Sequence, residues 1–477
     1  MVSETEKNRK AETKSKTKTG NKAKAKTKTP SGLLYFICYL LLYPFLKVFF
    51  RLKVDRSCYS LSKGPCIVLA NHQSFMDFIL TMLTVYPRRL NAVAAQKFFY
   101  YSPLDKLLPA MWCIPKCLFD PDPRTISRCI DVVSRGGSLL LFPEGRCSYE
   151  GTYIGMHKAT GKLIRKLGVP VVSCHVEGSY FCMPIWRKGF RLGRLRVTLA
   201  NLFSAEDTQI MEVEELNRRI DTRLSGADTL PPVKPFRVFR ARRLAEGLEN
   251  ILYYCANCKS EFTLETDRNI IRCSACGSFA EIDCYERLKS GQGSGLPETV
   301  QEWFREQVAH EMRSLEGLRL RSIGMGHVSG ENRSEVYRVD SVDDADSADN
   351  TDKSDAISSM PPESPIKLAE VQVILRMKAT VGKGLEQCGR GKLVLDSKGW
   401  HFTGELRAEN VNLFFPIDTV PAIPFDPNDN FQIYSDGVYY AFTPCDNPRA
   451  CAKYAIIGEC AYWRYAREVK MTVQGEA

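Results

Sequence analysis

The sequence predicts an α/β layer sheet, followed by a small cysteine-held ribbon and a mainly-β domain, all behind a disordered basic N-terminal tail. Three observations carry this reading. From Lys63 to about Ser225, short apolar runs alternate with longer stretches of helical periodicity, the signature of an α/β layer. Four cysteines recur as two C-x2-C pairs, Cys255/Cys258 and Cys273/Cys276. The last hundred or so residues hold short strand-like runs separated by turn signals. At 477 residues the chain exceeds one compact core, so several domains are expected. The reading divides it into a tail (1–32), a membrane-associated helical segment (33–58), the α/β domain (59–226), a linker helix (227–252), the ribbon (253–285), a helical connector (286–337), an acidic insert (338–364) and the β domain (365–477).

Charge is unevenly placed. The formal net charge is +11, and residues 1–32 hold nine Lys and one Arg against three Glu, which supplies +7 of it. The stretch KSKTKTGNKAKAKTKTP has no side chain large enough to build a core, so it reads as disordered. No aromatic residue interleaves with its lysines to stack on bases, which disfavours nucleic acid as a partner. An apolar segment follows at once, which favours anionic membrane phospholipid. That segment, LLYFICYLLLYPFLKVFF (33–50), falls just short of the roughly 20 residues of a spanning helix. Pro44 and Lys47 interrupt it, so it reads as embedded in the membrane or lying in its interface, with a buried core helix as the alternative. No small-residue cleavage site follows, so it is read as retained rather than as a signal peptide. The basic flank would keep the tail on the cytoplasmic face.

Within the α/β domain the expected strands are CIVLA, NAVAA, SLLLF, VPVVSCHV and RVTLANLF. Two of them end at polar clusters, NHQSFMD (71–77) and PEGR (143–146). Ligands of open α/β sheets collect at the carboxyl ends of strands, so both clusters belong in one crevice. A neutral His72 can take a proton from a hydroxyl near pH 7. Asp77, five residues on, can hold the other ring nitrogen, as in a triad without its serine, and the substrate would then supply the hydroxyl. The bland alternative is two polar residues at an ordinary strand end. Ser74 reads as a helix N-cap. In the second cluster Gly145 allows a tight turn, and the planar fork of Arg146 suits a phosphate. A surface turn with an ion pair is the competing reading.

Together the clusters are more specific. NHQSFMD resembles the N-H-x-x-x-x-D block, and FPEGRCS the F-P-E-G-x-R-S block, of the glycerolipid acyltransferases, the lysophosphatidate acyltransferase family. Their order and separation also fit. Pro170 in GVPVVSCHVEG matches the family's proline-bearing strand, and CIPKCLFDPDPRT aligns with its arginine-bearing element through Lys116 or Arg124. The resemblance covers about residues 33–225 and implies an acyltransferase-type α/β sheet. It also implies transfer from acyl-CoA or acyl carrier protein to a hydroxyl of a lysophospholipid acceptor. His72 would be the base and Asp77 its orienter. Glu144, Gly145 and Arg146, with Lys116 or Arg124, would contact the acceptor's glycerol phosphate. Two departures stand out: Cys147 occupies the place of the family arginine, and Lys116 replaces another. A lysine is a point charge without the bidentate fork.

Of the 18 cysteines, most stand singly in apolar runs and read as small buried hydrophobes. Cys255, Cys258, Cys273 and Cys276 differ: two knuckles of paired thiolates around a short hairpin suit a tetrahedral structural Zn2+. Iron or a redox dithiol pair is the alternative. Val300, Trp303, Phe304, Val308 and Met312 mark one face of a helix near 297–315. The segment 340–365 is too rich in Asp, Ser and Pro to fold. Beyond it, five strand-like runs and a final helical stretch resemble a pleckstrin-homology-like (PH) or GRAM outline. His157, His175, His310, His327 and His401 show no ligand pattern.

Two function classes remain. The first is a membrane-associated O-acyltransferase that makes phosphatidate from 1-acylglycerol 3-phosphate, or acts on glycerol 3-phosphate or another lysophospholipid. The second is a non-catalytic lipid- or nucleic-acid-binding adaptor built around an inactive core. An inactive core would be expected to lose its base, and His72 and Asp77 are both present.

Overall fold

The computed structural model describes residues 29–60, 64–119, 121–225, 239–284, 286–291, 295–316, 366–379 and 384–475. The basic tail before residue 29 and the acidic insert lie outside the described residues.

The first body runs α1 (Gly32–Phe49), β1 (Lys53–Cys58), β2 (Ile67–Ala70), α2 (Met76–Thr84), β3 (Leu90–Ala95), α3 (Leu104–Ala110), β4 (Ile114–Lys116), α4 (Pro123–Ser134) and β5 (Ser138–Leu141). It continues with α5 (Ala159–Leu167), β6 (Val171–Glu177), α6 (Ser179–Cys182), β7 (Arg196–Phe203), α7 (Ala205–Ile210) and α8 (Val213–Ser225). Its seven strands form one sheet in the order β1-β7-β6-β2-β5-β3-β4. The five strands from β6 to the β4 edge are parallel, whereas β7 runs antiparallel to β6 and carries β1 with it. Side chains alternate across β2. Val68 and Ala70 face a core shared with α1 and α2, and Ile67 and Leu69 face one shared with α4, α5 and α8. Both faces are thus covered, and the inner strands are apolar throughout. The sheet also begins earlier than 59, because β1 pairs with β7. β1 is an exposed edge strand of sequence KVDRSC, with no apolar alternation to announce it.

α1 is 18 residues long with a mean hydropathy of 1.8, long and apolar enough to cross a membrane by length and composition, and only 11% of it is buried. Tyr35 anchors it by donating to Met82 O at 3.1 Å, and Tyr39 stacks on Tyr86 at 4.3 Å. Leu33, Leu40, Leu41 and Val48 are exposed.

The expected linker helix does not form over the described residues 239–252. This stretch is a strap of bends and turns with one 3-10 turn at Leu248–Asn250. Its residues 244, 245, 248, 251 and 252 are all buried. Gly247 has φ 97°, and a Cβ there would lie 2.3 Å from Trp186 O. Arg191, buried in an ion pair with Glu286, also donates to Leu244 O at 3.0 Å and fastens the strap to the first body.

Next comes a four-stranded antiparallel ribbon of β8 (Leu264–Asp267), β9 (Ile270–Cys273), β10 (Phe279–Ile282) and β11 (Leu288–Ser290), then α9 (Val300–Ser314). Thr299 caps α9 by accepting from Glu302 N at 3.1 Å. Gln307 fixes the helix to the strap, accepting from Tyr253 N at 2.8 Å and donating to Ile251 O at 2.9 Å. The last body has β12 (Lys367–Lys378), β13 (Leu385–Asp396), β14 (Gly399–Leu406), β15 (Glu409–Pro416), β16 (Phe425–Asp426), β17 (Asn430–Ser435) and β18 (Val438–Pro444). They form an antiparallel sheet, β15-β14-β13-β12-β18-β17-β16, packed against α10 (Cys451–Gly475). One continuous core joins ribbon, α9, sheet and α10.

Candidate active site

The carboxyl ends of three adjacent strands, β2, β5 and β3, converge on His72. Asn71 closes β2: its side chain donates to Val176 O and accepts from Val176 N, each at 2.8 Å. The chain then turns into α2. Asp77, fully buried in the first turn, accepts from the backbone N–H of Gln73 at 2.6 Å and of Ser74 at 2.7 Å through Oδ2. The same oxygen lies 3.4 Å from His72 Nδ1. Asp77 therefore shapes the loop and also faces the ring. The Ser74 hydroxyl accepts from Met76 N at 3.2 Å and donates to Met183 O at 2.8 Å, while the N-cap position falls at Phe75, which has no side-chain cap bond.

The loop after β5 holds the other side. His72 N donates to Glu144 Oε1 at 2.6 Å, Ile154 N donates to Glu144 Oε2 at 3.2 Å, and Ser148 N donates to His72 O at 3.0 Å. Glu144, expected to meet the acceptor, has both carboxyl oxygens taken by backbone N–H groups. The residue is 4% exposed, and its carboxyl clasps those backbone N–H groups. Burial pushes its pKa up to about 8, with Asp77 and Glu150 nearby in the same direction. Gly145 makes the turn with φ 78°.

The His72 ring is stacked by Phe142 at 4.1 Å. Cys147 Sγ lies 3.3 Å from Nε2 and 3.6 Å from Nδ1. Near-equal distances to both nitrogens put the sulfur beside Cε1 or over the ring, off the line of the Nε2 lone pair. Burial pushes the Cys147 thiol well above its ordinary range, and the Asp77 and Glu144 carboxyls add to this. The thiolate is the nucleophilic form and burial disfavours it here, and the sulfur lies against the His72 ring.

Of the expected phosphate contacts, Arg146 has its fork already filled: it pairs with Glu459 of α10 at 2.7 and 2.9 Å. Burial lowers the guanidinium's pKa, but Glu459, Tyr149 and Glu150 together more than offset this and keep it charged. Lys116 ends β4, the edge strand, and donates to Cys117 O at 3.2 Å. Arg124 is exposed on the first turn of α4. The structure therefore groups His72, Asp77, Glu144, Gly145 and Arg146 around one loop. It also adds a cation that the sequence reading missed. Lys97, buried just past β3, meets Asp426 at 2.6 Å. A lysine at the carboxyl end of an interior strand, in AAQKFF, was the available signal.

In the ribbon, the four thiols of Cys255, Cys258, Cys273 and Cys276 lie within 4.8 Å of one another. The pairs Cys255/Cys276 and Cys258/Cys273 are 3.9 and 3.7 Å apart. Four sulfurs about 2.3 Å from one ion at tetrahedral angles stand roughly 3.8 Å apart, so the residues fit a tetrahedral metal site.

Residues 51–177 match the family model described as Acyltransferase. Residues 248–278 match the family model described as DNA directed RNA polymerase, 7 kDa subunit, a zinc-ribbon family. Among individual proteins, the chain is similar to two chloroplastic 1-acyl-sn-glycerol-3-phosphate acyltransferases. The Brassica napus protein is 30% identical over 130 residues, 27% of this chain and 37% of the relative. The Arabidopsis thaliana protein is 28% identical over 141 residues, 29% of this chain and 39% of the relative. The matches thus span less than two fifths of these relatives' length. A crystal structure of the 1-acyl-sn-glycerophosphate (LPA) acyltransferase PlsC from Thermotoga maritima is 21% identical and covers 41% of this chain and 89% of that one, with a TM-score of 0.32.

Proposed function

We propose that the chain is a membrane-associated O-acyltransferase that moves an acyl group from acyl-CoA or acyl carrier protein to the free hydroxyl of 1-acylglycerol 3-phosphate, giving phosphatidate. The observation that carries this is His72 facing Asp77 at a strand end, inside the segment that matches the acyltransferase family. The names of the two plant relatives support the acceptor.

In this mechanism His72 takes the proton of the acceptor hydroxyl through Nε2 while Asp77, on the Nδ1 side, offsets the charge that develops on the ring. The oxygen attacks the thioester carbonyl, a C–O bond forms, the C–S bond breaks, and the thiol leaves with the proton. No residue carries the acyl group, consistent with a buried, protonated Cys147. Glu144 and Gly145 hold the loop in register, and Arg146 would meet the acceptor's phosphate, with Lys116 or Arg124 as a further cation. Cys147 in place of a family arginine keeps glycerol 3-phosphate and other lysophospholipids in view as acceptors.

Outside this domain, Cys255, Cys258, Cys273 and Cys276 would hold a structural Zn2+ with no open position. The β domain with α10 is read as a PH- or GRAM-like module, and α1 with its basic flank as the membrane anchor on the cytoplasmic face. Purified chain, acyl-CoA and a panel of acceptors in a thiol-release assay test the proposal. Release should require 1-acylglycerol 3-phosphate and vanish in His72→Ala, and release independent of any acceptor would overturn it.

A further inference from the structure

Two cations flank the His72 loop, and carboxylates from the C-terminal domain neutralise both. Arg146, one residue from the Cys147 that packs the ring, makes a two-pronged pair with Glu459 of α10 at 2.7 and 2.9 Å. Lys97 meets Asp426 of β16 at 2.6 Å. The charges of Lys97 and Asp426 both act on the Cys147 thiol, so this second pair also borders the site. Neither carboxylate hangs loose. Glu459 Oε1 accepts from Ile423 N at 2.8 Å, and Asp426 Oδ2 accepts from Gln432 Nε2 at 2.9 Å. Between them Tyr149 stacks on Phe425 at 3.9 Å, and its hydroxyl accepts from Phe425 N at 2.7 Å and donates to Phe425 O at 3.2 Å. The domain therefore sets two braced negative charges against two braced positive ones beside the candidate base.

A buried cation left without an anion is strongly disfavoured, so Lys97 and Arg146 need some anionic partner at all times. The bidentate geometry that Arg146 uses toward Glu459 is the one a guanidinium uses toward phosphate. A phosphate-bearing ligand at this site and the docked domain then compete for the same two cations.

We propose that the C-terminal β domain is an intramolecular competitor for the anionic head of the acceptor, with Asp426 and Glu459 holding Lys97 and Arg146 until a phosphate-bearing lysolipid displaces them. The choice of ligand rests on the acyltransferase reading, whereas the competition itself does not. Coupling is reciprocal: a ligand that the docked domain excludes must, on binding, loosen that domain by the same factor.

Hydrogen–deuterium exchange on the full chain without acyl donor tests this. The probes are a short-chain 1-acylglycerol 3-phosphate and the uncharged 1-acylglycerol of the same length. The phosphate-bearing probe should speed exchange in segments 421–435 and 451–463 by about tenfold, and the uncharged probe should not. The Asp426→Asn/Glu459→Gln double variant should bind the phosphate-bearing probe about tenfold more tightly and lose the probe-induced change. Binding that slows exchange there or leaves it unaltered overturns the proposal, as does equal, weaker or absent binding by the folded double variant. If that variant does not fold, the wild-type exchange result decides. Turnover is read separately: competition without acyl transfer would refute the enzyme reading alone, and acyl transfer without competition would refute the clamp alone.

Discussion

Replacing Glu144 by glutamine separates a buried clasp from a substrate contact. The carboxyl has a pKa of about 8 in the fold against an ordinary 4.5. The folded chain therefore keeps a proton that the unfolded chain releases within that interval. The resulting stability is fully present below about pH 4.5 and is lost as the pH rises through about 8. At 1.36 kcal/mol per pKa unit, the loss is bounded at about 5 kcal/mol. Glutamine has no proton to release, so its urea-unfolding free energy should lack this slope and gain on wild type between about pH 5 and pH 8. One acceptor oxygen remains for His72 N, and the bond to Ile154 N is lost, worth about 1 kcal/mol. A clasp acts on loop geometry, so kcat should fall while KM for the acceptor holds. Parallel pH profiles for the two proteins would refute burial as the cause. A raised KM at constant kcat would return Glu144 to the acceptor.

Three other outcomes are expected. Asp77→Asn keeps an oxygen for the Gln73 and Ser74 amides but removes the charge facing His72, so kcat should drop by about 10²-fold or more with little change in unfolding; a small drop would demote Asp77 to a cap. Metal analysis should find one zinc per chain, and Cys255→Ser should lose it and unfold earlier, because Cys255 and Cys273 share a core with Trp303; no zinc with all four thiols reduced would contradict this. Leu40→Lys/Leu41→Lys alters two leucines that are 57% and 66% exposed. At about 1.5–3 kcal/mol for burying each in lipid, vesicle flotation should weaken by roughly 10²-fold or more; unchanged flotation would leave α1 no anchoring role.

Much of the first body was legible because its inner strands are continuous apolar runs, a pattern that states both the strand and its burial. β4, three residues long, and the polar edge strand β1 offered no such pattern. The strap misled because its apolar residues read as helical until Gly247 met Trp186. At the site, type and spacing suggested that His72 pairs with Asp77, and the resemblance of both blocks to the acyltransferase pattern favoured that reading over an ordinary strand end. The direction of a carboxyl was not: Glu144 turns inward because backbone N–H groups await it there, and spacing cannot convey that. Lys97, Asp426 and Glu459 escaped because their meaning depends on pairs 329 and 313 residues apart in the chain.

The most direct measurement is thiol release from acyl-CoA by purified wild-type chain and His72→Ala, with 1-acylglycerol 3-phosphate, glycerol 3-phosphate and an uncharged monoacylglycerol offered in parallel. Acceptor-dependent release by wild type, greatest with 1-acylglycerol 3-phosphate and absent in a folded His72→Ala, is the predicted result. Near-wild-type release by His72→Ala would contradict the assignment of His72 as the base.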